Sequence, residues 1–348
     1  MQCILNFHKC FETEPLILLD VGARFGLQRP WDQYPIDYLQ YFGFEADDEE
    51  CKRLNKTNNN KNIKYLPAGL SDGDYKETLY ITREAGRSSL YEPNVALINQ
   101  FYDSEGFDVI RKSSLNTTTL NKVIQQEGID PDFMKLDVQG SELKIIKGAD
   151  QFHENIFGFE VEVEFLELYK EQPLFYKVDE YMRSIDFELY DLNRYWAVRK
   201  NMDLNCSNRA QITFADAIYF RNHDSFYSLS YPTEKELIKK LIKFINVLIL
   251  YGFFDVAIKL TENKKCPLSK KEKDWIRLNI EEHSRINKFQ RLFFNNQIAQ
   301  KFGVLFHCLG KLFSYKLKTF GWGTDYNTIE ERYTYHASRK VVRLFGRK

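Results

Sequence analysis

The chain has 348 residues, 43% apolar and 28% charged, values of a globular protein that exclude a wholly disordered, collagen-like or disulfide-scaffold chain. At that length one large domain with an appendage, or two domains, is expected. Its 49 basic and 49 acidic residues cancel, which argues against a general nucleic-acid binder, yet a tail from Ile286 to Lys348 of about +9 offsets a remainder of about −9.

In chain order, Pro15-Leu-Ile-Leu-Leu19 is a short continuous apolar run ending at Asp20, followed by Val21-Gly-Ala-Arg-Phe-Gly26. Such a run closed by a glycine turn reads as a buried parallel strand. A second strand is expected over Leu39–Glu45, then a helix to about Asn55 whose first turn carries Asp47-Asp-Glu-Glu50, where acids favour the helix N-terminus. Asn62–Ala68 reads as a third strand. Glu77–Arg83 is β-prone, Thr118–Gln126 reads as a helix starting at a Thr cap, and Phe133-Met-Lys-Leu-Asp137 repeats the strand-then-acid pattern before a helix over Leu143–Lys147. A strand over Ile156–Glu164, a helix over Tyr176–Ser184 and late strands over Phe187–Leu192, Tyr195–Val198 and Gln211–Phe220 complete a sheet of about seven strands. The fold class is α/β with a mostly parallel sheet.

Beyond about Asp224, the stretches Glu234–Leu250, Tyr251–Thr261 and Lys270–Glu282 carry apolar residues three and four apart, the pattern of amphipathic helices. The expected division is 1–223, 224–285 as a helical appendage, and 286–348 as a basic, aromatic amphipathic tail. That tail has the pattern of a helix lying on an anionic membrane surface, but packing of its apolar face on the appendage is the favoured reading. Six scattered cysteines without a C-x-x-C pair suit reduced thiols. No signal peptide and no run near the roughly 20 residues of a membrane span is visible. A cytoplasmic protein, peripheral at most to the inner face of the membrane, is expected.

The D-x-G-x-x-x-G spacing at Asp20, Gly22 and Gly26 places backbone N–H groups above the carboxyl end of the first strand. It lacks the G-x-G-x-x-G and P-loop patterns. Glu45, at the end of the second strand, can accept both hydrogen bonds of a ribose diol, a reading favoured over its beginning a solvated acidic cap continued by Asp47 and Asp48, and Leu70-Ser-Asp72 follows the third strand where an adenine edge would lie. Glu160, Glu162 and Glu164 alternate with Val161, Val163 and Phe165, which reads as a strand with one wet face. That is unexpected inside a covered parallel sheet.

These residues, in order, resemble the FkbM-type S-adenosylmethionine-dependent methyltransferases: Asp20-Val-Gly-Ala-Arg-Phe-Gly26, Phe42-Gly-Phe-Glu-Ala-Asp47, Tyr65-Leu-Pro-Ala-Gly-Leu-Ser-Asp72, Ser88-Ser-Leu-Tyr-Glu-Pro-Asn94, Asp132-Phe-Met-Lys-Leu-Asp-Val-Gln-Gly-Ser-Glu142 onward to Ala149, and Phe159-Glu-Val-Glu-Val-Glu-Phe165. The resemblance covers roughly residues 14 to 195 and implies a class I, Rossmann-like methyltransferase sheet, bound S-adenosylmethionine and O-methylation of a hydroxyl, usually on a sugar or secondary metabolite. It puts Asp20, Gly22, Ala23, Arg24, Gly26, Glu45, Ala46, Leu70, Ser71 and Asp72 at the cofactor. Two positions depart from the family, where many members carry Asn at Arg24 and Glu at Gln139.

The family reaction needs a base because a neutral hydroxyl is a poor nucleophile. Asp137 is the expected base, with Glu162 and Glu164 facing it. A divalent ion at Asp137 and Glu162 is allowed but not expected. The loop Arg87, Ser88, Ser89 is assigned to the acceptor, although a capping box of Ser89 with Glu92 explains Ser89 equally well. The expected function is O-methylation of a sugar hydroxyl in a surface polysaccharide or glycoconjugate, with a glycan or other hydroxyl-bearing acceptor as partner and no nucleic acid. The alternative is a catalytically silent glycan-binding or scaffold protein.

Overall fold

A computed structural model describes residues 14–102, 104–201 and 210–283. The basic tail and Cys3, Cys10, Cys206 and Cys308 lie outside these residues, whereas Cys51 and Cys266 are buried free thiols. The described residues of 14–199 and 211–283 belong to one compact unit.

The apolar run forms β1 (Leu16–Val21), and the next elements are β2 (Leu39–Glu45), α1 (Asp48–Thr57) and β3 (Ile63–Pro67). The Asp47 side chain accepts from the Glu49 and Glu50 N–H groups, so the acidic cluster both caps α1 and complements its dipole. Then come β4 (Gly69–Ser71), β5 (Lys76–Thr82), α2 (Val95–Ile98) and β6 (Val109–Thr119), with β4, β6 and β5 forming a separate three-stranded sheet. β6 was not expected from the sequence, because Arg-Lys-Ser-Ser-Leu-Asn-Thr-Thr-Thr has little apolar alternation and most of its side chains are exposed or half-buried.

α3 (Leu120–Glu127) starts one residue later than expected, on the Thr119 cap, which accepts from Lys122 N–H. β7 (Phe133–Leu136), α4 (Glu142–Lys147), β8 (Gly158–Glu164), α5 (Phe175–Ser184), β9 (Phe187–Ala197) and β10 (Gln211–Arg221) follow. The two late strands expected before Gln211 are one, β9, continuous through Asn193 and Arg194. The chain goes on through α6 (His223–Phe226), α7 (Glu234–Leu250), α8 (Phe254–Thr261) and α9 (Lys270–His283). α8 begins three residues later than the periodicity suggested because Gly252, at φ +83°, breaks the helix.

The main sheet has the order β3-β2-β1-β7-β8-β10-β9. β3, β2, β1, β7 and β8 are parallel, and β10 is antiparallel to both β8 and β9. This is the seven-stranded, mostly parallel sheet that the resemblance implied. The strand order reverses between β1 and β7, so ligand binding is favoured above their carboxyl ends.

Leu19, Val21, Met134, Leu136, Phe159 and Val161 bury one face against Ile124 of α3, Ile145 and Ile146 of α4, and Val178 and Met182 of α5. On the other face Leu16, Leu18, Phe133, Phe157 and Phe220 share a core with Leu241, Phe244, Ile245 and Leu248 of α7. Phe157 stacks on Phe244, with ring centroids 4.8 Å apart. Fully buried Asp132 accepts from Lys240 Nζ at 2.6 Å, Lys243 Nζ at 2.8 Å and Ile17 N–H at 2.8 Å. Burial opposes its charge, yet the two lysines hold its carboxyl below the usual range, pinning α7 to the sheet. His153 is buried, its Nε2 2.8 Å from the Ile146 carbonyl oxygen. Among the described residues no helix is long and apolar enough to cross a membrane.

Candidate active site

The turn after β1 is stitched to both neighbouring strands. Gly22 and Ala23 N–H donate to the Phe44 carbonyl at 3.0 and 3.1 Å, and Asp137 N–H donates to the Val21 carbonyl at 3.0 Å. Gly22 has φ +89°, and a Cβ there would lie 2.0 Å from the Asp137 carbonyl oxygen. A side chain is therefore excluded by both conformation and contact. Above this junction opens a cavity of about 330 Å³, walled by Gly22, Arg24, Phe25, Glu45, Leu70 and Asp137, with Leu79, Ile81, Arg111 and Leu115 of the small sheet closing one side. The volume is that of a small-molecule site.

Glu45 is buried and accepts from Asp47 N–H at 2.9 Å. Arg24 Nη1 lies 3.8 Å from Glu45 and 3.8 Å from Asp47. Burial raises the Glu45 carboxyl pKa, against the pull of the Asp47 N–H and Arg24. Of the residues assigned to the cofactor, Gly22, Arg24, Glu45, Ala46 and Leu70 line the cavity, and Asp20, Ala23, Gly26, Ser71 and Asp72 lie off its wall. Gly26 N–H donates to the Ala23 carbonyl at 2.9 Å and closes the turn, while fully buried Ser71 donates to Asp72 at 3.3 Å.

Asp20 sits in a buried polar seam. It pairs in register with Lys135, which pairs with Glu160, so the three side chains share one face of the sheet. Asp20 accepts from Tyr41 OH at 2.8 Å and lies 3.5 Å from Lys135 Nζ. Glu160 accepts from Tyr251 OH, and Trp31 Nε1 donates to the same phenol at 3.0 Å. Burial works against the Lys135 charge, but Asp20, Asp137, Glu160 and Asp216 together raise its pKa. Lys135 went unremarked in the sequence because it stands inside an apolar strand motif.

Asp137 lies on the cavity wall. Gln139, in the left-handed region at φ 59°, donates through Nε2 to Asp137 at 3.1 Å and to Glu162 at 2.5 Å, and its Oε1 accepts from Tyr169 OH at 2.7 Å. The amide that departs from the family's glutamate thus joins two carboxylates instead of adding a third. Ser88 and Ser89 line the cavity and Arg87 does not. Arg87 pairs with Glu84 at 2.8 Å and lies over Phe107. Ser89 Oγ donates to the Gln139 carbonyl at 2.6 Å, and α2 is capped by Asn94, so the capping box of Ser89 with Glu92 is not formed.

All of β8 is buried, which corrects the wet-face reading of Glu160, Glu162 and Glu164. Glu162 and Glu164 lie off the cavity wall and meet Glu142, with one oxygen of each within 4.8 Å of the others. Glu142 accepts from Val138 N–H at 2.8 Å and Gly140 N–H at 2.9 Å. Burial, reinforced by neighbouring acids, pushes Glu142 up to about 7 and Glu162 and Glu164 well above the usual carboxylate range. Such acids reduce their mutual repulsion by keeping protons. A cation held here would be bound by Glu142, Glu162 and Glu164, a different set from Asp137 and Glu162. Glu142 was missed, although Ser-Glu opening a helix just after Asp137 was a usable signal.

Residues 20–189 match the family described as the methyltransferase FkbM domain. No curated protein matches the chain. Similar solved structures include precorrin-6y C5,15-methyltransferase from Geobacter metallireducens GS-15, 11% identical, covering 60% of this chain and 82% of that one with a TM-score of 0.32. Magnesium protoporphyrin IX methyltransferase from Synechocystis PCC 6803, with bound S-adenosylmethionine, is 8% identical over 60% of this chain and 71% of that one, with a TM-score of 0.32. M. capricolum TrmK, in complex with S-adenosylhomocysteine, is 8% identical over 80% of this chain and 96% of that one, with a TM-score of 0.31.

Proposed function

We propose, residues 20–189 being an FkbM methyltransferase domain that uses S-adenosylmethionine, that this chain methylates a hydroxyl oxygen of a sugar, in a surface polysaccharide or related glycoconjugate. The observation that carries the reading is Asp137, on the wall of a cavity above the strand-order reversal and held there by Gln139.

The cavity fits the cofactor. Gly22 leaves its backbone bare where β1 and β7 converge, and Glu45 presents a carboxylate at the end of β2, the position suited to a ribose diol. Gly22, Arg24, Glu45, Ala46 and Leu70 hold the nucleoside and amino-acid parts in this reading, with Ala23 and Gly26 shaping the turn. When bound, S-adenosylmethionine supplies an electrophilic methyl group on sulfur.

The chain's own residues do the rest. Asp137 takes the proton of the acceptor hydroxyl as its oxygen becomes the nucleophile, a contribution of about 10²–10⁴-fold for a well-placed base. Gln139 fixes the Asp137 carboxylate by its amide and is itself fixed by Tyr169 and Ser89. Ser88 and Ser89, on the cavity wall, face the acceptor side, and the wall of the small sheet limits water around the reacting groups. Glu162 shares the Gln139 amide and acts through it on Asp137.

The test is mass spectrometry of surface glycans made with and without the protein, followed by incubation of the purified chain with S-adenosylmethionine and the unmethylated glycan. Gain of one CH2 on a hydroxyl oxygen supports the reading. Methyl transfer to nitrogen or carbon alone, or none to any glycan from a chain that binds the cofactor, would refute it.

A further inference from the structure

Beyond the cavity wall, the carboxyl end of the sheet carries a second group of polar side chains. Leu136 pairs with Val161, so Asp137 and Glu162 come next in that register. Glu162 pairs with Asp216 of β10, and Asp216 pairs with Asn193 of β9. A single row therefore crosses four strands from the catalytic position to the sheet's edge. Its two ends are tied by hydrogen bonds. Gln139 joins Asp137 to Glu162, and Asn193 Nδ2 donates to Asp216 Oδ2 at 3.0 Å while Tyr195 OH reaches the same oxygen at 3.2 Å.

Tyr195 adds an aromatic surface beside this row. One face of its ring stacks on Phe214, with centroids 4.5 Å apart and planes 12° apart, and the residue is 40% exposed. The ring is thus braced against Phe214 and partly exposed. The helices cover the same face of the sheet one step lower, where Tyr251 meets Glu160, but leave Asn193 and Tyr195 exposed. Neither Asp216 nor Asn193 stands out in the sequence, since each is one polar residue within a mostly apolar or mixed strand.

We infer that Asn193, Tyr195 and Asp216 form the acceptor-binding surface, and that its ligand is a neutral pyranoside seated on the Tyr195 ring with adjacent hydroxyls on Asp216 and Asn193. This rests on the methyltransferase reading and names the acceptor surface for it. Two strand spacings of about 4.8 Å put Asp216 about 10 Å from Asp137, a span that one sugar ring bridges while one of its hydroxyls stays at Asp137. A braced, partly exposed aromatic ring offers apolar contact to the C–H groups of a sugar, and a carboxylate beside an amide and a phenol matches the mixed donors and acceptors of neighbouring hydroxyls. Asp137 and Asp216 disfavour an anionic acceptor by like charge.

The test uses the full chain loaded with S-adenosylhomocysteine and saturation-transfer NMR against methyl α-pyranosides of gluco, manno, galacto and rhamno configuration, with glucose 6-phosphate as the anionic probe. Binding of S-adenosylmethionine is measured in parallel by calorimetry, and thermal melts confirm that each variant folds. At least one neutral pyranoside is expected to receive saturation. Asp216→Asn and Tyr195→Ala should each weaken its binding about tenfold, the scale of a lost charged hydrogen bond or ring contact, with cofactor affinity unchanged. Asn193→Ala, at an exposed position, should weaken it less and serves if either other variant fails to fold. A wild-type chain that binds the cofactor but no neutral pyranoside, variants that bind as wild type does, or preference for glucose 6-phosphate would overturn the inference. Failure to bind the cofactor at all would instead overturn the methyltransferase reading beneath it.

Discussion

Replacing Glu160 with Gln tests whether the polar seam behaves as its geometry requires. Glu160 is 9% exposed, and burial chiefly, with Asp216 and Asp20 adding and Lys135 and Tyr251 opposing, pushes its pKa from 4.5 up to about 7. An acid with a higher pKa in the folded state binds its proton more tightly there. Its contribution is therefore fully present below the unfolded value, is lost as pH rises from about 4.5 to about 7, and is then constant. The difference of about 2.5 pH units corresponds to about 3 kcal/mol. Gln keeps an acceptor for the Tyr251 hydroxyl but has no charge to bury. The stability of Glu160→Gln relative to wild type should thus rise by about 3 kcal/mol between pH 4 and pH 8, or roughly 6–12 °C in melting temperature for a unit of this size. Urea unfolding followed by circular dichroism across that range is the assay. A difference that stays constant with pH, or one that reverses in favour of wild type at pH 8, would refute the reasoning.

Asp137→Asn should lower turnover by about 10³-fold with cofactor affinity within about threefold of wild type, the signature of a lost base, and wild-type rates would remove Asp137 from the chemistry. Glu45→Ala should weaken S-adenosylmethionine binding about 10–100-fold, as expected for hydrogen bonds to a charged group, measured by calorimetry. Gly22→Ala should abolish cofactor binding and lower stability by about 3 kcal/mol or more, because the added Cβ would meet the Asp137 carbonyl oxygen at 2.0 Å in a left-handed backbone. A folded, cofactor-binding Gly22→Ala would contradict the close approach of β1 and β7. EDTA should leave turnover unchanged, whereas loss reversed by Mg²⁺ would show that the reaction needs a cation.

The α/β order was legible because each central strand is a short apolar run ending in an acid or a turn, and because helical spacing begins sharply after Asp224. β6 was not legible, since a polar strand held mainly by pairing to β5 and β4 has no apolar face to advertise. In the site, Gly22 and Glu45 were readable from their places at strand ends. The Gln139 bridge was not, because its meaning depends on a left-handed backbone and on Glu162, 23 residues away in sequence. Glu142 and Lys135 were hidden in the same way, by partners that only the sheet register brings together.

The acids of β8 show why alternation alone misleads. Glu160, Glu162 and Glu164 have the spacing of a solvated face, and on an antiparallel edge that is what they would be. Here β8 lies between β7 and β10, and each acid finds a different neighbour on the same covered face. Glu160 meets Tyr251 from the end of α7 and lies near Lys135, so it belongs to the seam joining helices and sheet. Glu164, with Glu142, belongs to the acidic group behind the loop that holds Asp137. Glu162 stands between them, one amide from Asp137 and one strand from Asp216. Three equivalent letters in one strand thus serve different surroundings, and an uncharged isostere should act differently at each: stabilising above neutral pH at position 160, and at position 162 altering how firmly Gln139 holds Asp137.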